Sequence, residues 1–111
     1  MKPEKFSPLG LYGDREFFFE RKNEGYTEAA YGGGPWIGSY RIVGIFAFYH
    51  PDGRIATFQT RKIDTGDCTM RGDPIRADYK NESEFKEYVE EHRITLGKKH
   101  SLADAIKDWE E

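Results

Sequence analysis

The sequence predicts a single α+β domain: an antiparallel β-sheet of three to five strands, followed by two C-terminal helices packed on one face of it. Three observations lead there. Residues 15–80 alternate aromatic and β-branched runs with clusters of Gly, Pro and Asp, the grammar of strands and turns. Residues 40–63 form two extended runs around Pro51-Asp52-Gly53, a central hairpin. Residues 81–111 change to apolar stripes at helical spacing. Strands first and helices afterwards mark the α+β class, and 111 residues make one domain.

In chain order, residues 1–14 contain Pro3, Pro8, Gly10 and Gly13 and read as an irregular arm. Arg15 to Arg21 (REFFFER) reads as a short aromatic strand; because strand side chains alternate, Phe18 should point opposite to Phe17 and Phe19. Asn23-Glu24-Gly25 supplies a turn, and Tyr26 to Tyr31 returns as a second strand. Tyr40 to Tyr49 (YRIVGIFAFY) is the strongest strand. Tyr40, Ile42, Phe46 and Phe48 should line one side and Val43, Ile45, Ala47 and Tyr49 the other, which makes it a central strand. Pro51-Asp52-Gly53 turns the chain, and Arg54 to Ile63 runs back antiparallel. Residues 64–80 read as a long loop with one short strand near Ile75 to Tyr79. In the helical part, Ser83 caps a helix whose stripe is Phe85, Tyr88, Val89 and His92. Ser101 caps a second, with Leu102, Ala105, Ile106 and Trp109 on its core side.

Composition narrows the functional classes. Eight Phe, seven Tyr and two Trp supply a core despite a mean hydropathy of −0.82, since each buried aromatic removes roughly 150–250 Å² from water. No apolar run approaches the roughly 20 residues of a membrane helix, and the N-terminus lacks a secretory pattern. A single cysteine, Cys68, excludes an intrachain disulfide; the expected compartment is the cytoplasm. Residues 41–80 carry seven Lys/Arg against five Asp/Glu, and residues 81–111 carry five against nine. That asymmetry is modest beside the basic faces of most nucleic-acid binders.

Motifs for catalysis are weak. The stretch YGGGPWIGSY (residues 31–40) runs into a strand, so no helix N-terminus is offered to a phosphate, and the Walker Lys-Ser/Thr is missing. It reads as a flexible connection or a loop presenting Tyr31 and Trp36 to a partner. Asp64-Thr65-Gly66 carries the aspartic-protease triplet in the wrong context and reads as a turn. Arg71-Gly72-Asp73 matches the integrin tripeptide by chance. Asp64, Asp67, Asp73 and Asp78 follow no EF-hand spacing. Cys68 reads as a small buried hydrophobe, and His50, His92 and His100 show no convergence. No cofactor or metal is expected.

The function expected from these features is a small non-enzymatic binding protein acting through protein–protein contacts, as adaptors, immunity proteins or phage-type inhibitors of host enzymes do. Its candidate partner-binding residues are Tyr31, Trp36, Tyr40, Arg61, Lys62, Arg71 and Arg76, because Tyr, Trp and Arg are the usual interface anchors. One alternative is a nucleic-acid-binding module using the basic sheet and loop face, with Arg54 as a further phosphate contact; a small hydrolase is the other.

Overall fold

A computed structural model describes residues 15–110, with side chains described as far as Ile106. The N-terminal arm and the Trp109 side chain, expected against the sheet, lie outside the described residues. The elements run α1 (Arg15–Asn23), β1 (Glu28–Gly33), β2 (Tyr40–Tyr49), β3 (Ile55–Asp64), β4 (Thr69–Arg71), β5 (Ile75–Tyr79), α2 (Glu82–Glu91), β6 (Thr95–Leu96), β7 (His100–Ser101) and α3 (Leu102–Glu110). The class is α+β with one large antiparallel sheet, as expected, but with seven strands and three helices among the described residues. β3, β2 and β1 form its middle. β4 and β5 both pair with β3, while β6 and β7 both pair with β1, so each edge is a strand in two pieces. Pro74 lies in the gap between β4 and β5, where its missing N–H interrupts the ladder.

The expected strand at 15–21 is instead a helix. Glu16 in its first turn and Arg21 and Lys22 in its last complement the helix dipole. Its end is fixed by Gly25 at φ 99°, where a side chain would be strained. The Gly25 N–H donates to the Lys22 carbonyl and the Tyr26 N–H to the Arg21 carbonyl, at 3.0 and 3.1 Å. These are the two bonds of a Schellman stop. The glycine read as a strand turn therefore terminates a helix, and adjacent Phe17 and Phe18 are both buried.

The central strand also departs from simple alternation. Its register with β3 shifts between Ile42 and Gly44, a bulge that gives β2 one extra residue. Tyr40 and Ile42 are thereby moved from the side of Phe46 and Phe48 to that of Ile45, Ala47 and Tyr49. On the first face, Ala29, Phe48 and Ala56 cluster with Phe17 and Phe18 of α1 and Leu102, Ala105 and Ile106 of α3. On the second, Ile42, Ile45, Ala47 and Ile55 cluster with Phe85 of α2 and Ile94. Hence α2 and α3 cover opposite faces, not one. The cause lies in the middle strands, which are apolar on both sides and need cover on both.

The hairpin and the strand at 75–79 form as expected, the latter in register with β3 from Ile55↔Tyr79 to Gln59↔Ile75. The cap of α2 is Asn81, two residues before Ser83: its side chain accepts from the Glu84 N–H at 3.0 Å.

A polar chain runs beneath α2. Tyr88 donates its hydroxyl to Gln59 Oε1 at 2.6 Å, Gln59 Nε2 donates to Thr57 Oγ1 at 2.9 Å, and Thr57 donates to the Ala77 carbonyl at 2.9 Å. Thr57 and Gln59 are fully buried, so each link satisfies a group that would otherwise be stranded. Tyr88→Phe should cost about 1–3 kcal/mol, because it leaves the Gln59 oxygen without its donor. Burial pushes the Tyr88 and Tyr49 phenols up to about 12, against roughly 10 in the unfolded chain. The unfolded state then releases these protons first. Stability is fully present below pH 10 and is lost as pH rises through 10 toward about 12. Melting temperatures across that window should fall, and the fall should be shallower in Tyr88→Phe.

Candidate functional site

β1 and its following turn carry the glycine-rich stretch. Gly32 and Gly33 are not a flexible connection: they belong to β1, pairing with Leu96 and Thr95 of β6. A side chain at Gly32 would strike the Thr95 carbonyl, and one at Gly33 the Val43 carbonyl of the bulge. Gly34 is held by its N–H to the Ile42 carbonyl at 2.9 Å, and its own carbonyl accepts from Arg41 Nε at 2.7 Å. The triplet is used for close backbone approach. The chain then turns through Trp36 and Ile37, both exposed, and Ile37 and Tyr40 exchange backbone hydrogen bonds at 2.9 and 3.2 Å.

Cross-strand register sorts the candidate residues. On the α1/α3 face, Tyr31, Phe46, Phe58 and Arg76 are direct partners in one row across β1, β2, β3 and β5. Phe18 meets Phe46 at 5.0 Å and Phe17 meets Phe58 at 5.2 Å between ring centroids, so the described ring contacts of α1 reach as far as this row. Arg76 lies over Phe17, its guanidinium carbon 4.8 Å from the ring centre.

Toward the Trp36 end of the sheet the same face carries Gly44 opposite Thr60, then Arg41, Lys62 and Arg71 as direct partners on β2, β3 and β4. Direct partners project to the same side, so three cations stand in a row. Among the described residues Lys62 and Arg71 have no carboxylate partner. Tyr31 is 41% exposed and its ring sits 4.5 Å from that of Phe46. Its hydroxyl passes so near Gly44 that an added Cβ there would lie 2.8 Å from it. Gly44 is what lets the tyrosine lie down along the sheet.

Of the residues singled out from sequence, Tyr31, Lys62, Arg71 and Arg76 thus share a face. Tyr40 and Arg61 do not. Tyr40 packs with the cluster under α2, while Arg61 pairs with Ile42 on that same side and donates Nε to the Asp73 carbonyl at 3.1 Å. Trp36 is exposed at the end of the sheet where the cation row lies. Sequence reasoning passed over Arg41, Gly44, Phe46, Phe58 and Thr60 as site residues. Only the bulge brings Arg41 into line with Lys62, and no composition signal announces it.

The weaker motifs resolve as local structure. Asp64-Thr65-Gly66 is the turn joining β3 to β4: Asp64 Oδ1 accepts from the Gly66 N–H at 2.8 Å, and the Thr65 N–H donates to the Cys68 carbonyl at 3.0 Å. Cys68 is exposed there, not buried. Asp64 and Asp78 lie toward opposite ends of β3, since Asp78 pairs with Ala56, and so cannot share a cation. Among the described residues no group of His, Cys, Asp and Glu could hold a metal, and no helix is long and apolar enough to cross a membrane. Comparison with protein-family models, with curated proteins and with solved structures finds no match.

Proposed function

We propose that the protein is a non-enzymatic binding protein whose recognition surface is the half of the α1/α3 sheet face that the described helices leave uncovered, together with Trp36 at its end. The observation that carries this reading is the pairing of an exposed, laid-down Tyr31 with Lys62 and Arg71, cations without a carboxylate partner among the described residues, on one surface. Core packing does not require these groups in that form. An aromatic anchor and desolvatable cations on a preformed strand surface are what a specific interface uses. The cation row sets the sign of the partner: its contact side is anionic.

The test is retention of cellular partners by immobilised protein, with and without nuclease, comparing wild type with Tyr31→Ala, Trp36→Ala and Arg71→Glu. Each variant should stay cooperatively folded, with Arg71→Glu within about ±0.5 kcal/mol of the wild-type stability. Each should lose at least about 1 kcal/mol of affinity if it is an anchor. Partners retained equally by all three variants would place recognition elsewhere on the molecule. A strongly destabilised Trp36→Ala would mean that the tryptophan supports the fold instead.

A further inference from the structure

We infer that the occupant of this surface is a single-stranded nucleic acid, with a base stacked on Tyr31 and the backbone phosphates along Arg41, Lys62 and Arg71. The inference rests on the reading of the uncovered face as the recognition surface, and gives that surface its ligand.

Two features select this chemistry. The first is the shape of the aromatic part. Tyr31 lies along the sheet over Gly44 and against Phe46, and so offers a planar platform instead of a protruding knob. Any base has a π-face to place on such a ring, and stacking of this kind is tolerant of sequence. The second is spacing. Lys62 follows Phe58 by four residues on β3, which at about 3.3 Å per residue sets the cation row about 13 Å from the aromatic row. A dinucleotide spans that distance, and the Tyr31 ring, lying over Gly44, covers the near part of it.

Duplex DNA fits less well. Base edges of a duplex are read by a helix or ribbon that enters the major groove, whereas this surface is the face of a sheet several strands wide. Splayed bases are available on single strands. An acidic protein would satisfy the cations, but protein interfaces seat their aromatic anchors in pockets of the partner, whereas Tyr31 lies flat against Phe46 and over Gly44. The chain is acidic as a whole, with a formal net charge of −3, so long-range attraction is weak and affinity must come from these local contacts. That makes the salt dependence predictable. Three phosphate contacts on a single strand give a log–log slope of roughly −2, or about a 20-fold loss between 50 and 200 mM salt.

The experiment is fluorescence anisotropy with labelled oligo(dT), oligo(U) and a duplex of matched length, each roughly 12 nucleotides, within the site size of sheet-based single-strand binders. Single strands should bind more tightly than the duplex. Tyr31→Ala should weaken them at least fivefold and Tyr31→Phe should restore binding. Lys62→Gln with Arg71→Gln should flatten the slope to roughly −0.7. Circular dichroism melts of each variant keep loss of fold separate from loss of binding. Absence of single-strand binding at 50 mM salt, equal or tighter binding of the duplex, or a folded Tyr31→Ala that binds like wild type would overturn the inference. If oligonucleotides fail while nuclease-treated extracts still yield a partner that Tyr31→Ala and Arg71→Glu lose, the recognition surface stands and its ligand is a protein. If both fail, the surface reading falls with it.

Discussion

Replacing Gly32 by alanine should destabilise the protein by about 3 kcal/mol or more, the upper range for overpacking a closed site. The new methyl group would strike the Thr95 carbonyl and sit 2.8 Å from the Leu96 Cα. Both are backbone atoms, and neither can swing aside as the end of a long side chain would. To admit the methyl, β6 must leave β1, and that loosens Leu96 and the buried Ile94 beside it. Gly38→Ala is the matched control. Gly38 has φ 62° but open space around its Cβ position, so alanine there pays only the left-handed strain, about 1 kcal/mol. Chemical denaturation of the two variants separates close approach from loop flexibility. Equal, small losses would restore the flexible-connection reading of the glycine triplet.

That triplet shows where sequence reasoning stops. Three glycines in a row signal conformational freedom, and nothing local says that residues 92–96 will cross them. The partner is sixty residues away in the chain. The hairpin at 40–63 was legible because its cause is local: Pro51-Asp52-Gly53 and the apolar run before it define a turn and a strand without help from elsewhere. The stripe of α2 was legible for the same reason, with Phe85 buried and Tyr88, Val89 and His92 half-buried, although its cap fell on Asn81.

Phe17-Phe18-Phe19 misled because three aromatics favour strands, while a nine-residue helix is too short to display a period. The better signals were Glu16 at the start, Arg21 and Lys22 at the end, and Gly25 beyond them. Which face each helix covers was not legible, since amphipathicity gives a helix an inner side and no address. The candidate site suffered likewise. Its charged and aromatic residues were visible, but adjacent Arg61 and Lys62 part to opposite faces, and Arg41 joins Lys62 only because β2 bulges before Gly44.

Phe48→Ala should be the most damaging single change in the α1/α3 core, costing about 3–5 kcal/mol. Phe48 is fully buried on β2, at 0% exposure. Its two direct strand partners are Ala29 and Ala56, so the ring stands between small neighbours and fills the row alone. Phe17 and Phe18 of α1 close on it edge-first, with centroids 5.3 and 4.7 Å away. Truncation would leave three alanines abreast beneath two phenylalanines. Neither alanine can grow into the gap, and α1 cannot drop toward the sheet while Phe46 and Phe58 hold Phe18 and Phe17 at their present height. A cavity therefore persists, the condition under which such substitutions reach the upper part of their range. Against a total stability of roughly 5–15 kcal/mol for a domain, the loss is severe but survivable. Urea denaturation should show a lower midpoint with an unchanged m-value, because the surface exposed on unfolding stays the same. A reduced m-value would mean that α1 has already left the sheet in the native state, and with it the rigid base on which Phe46 supports Tyr31.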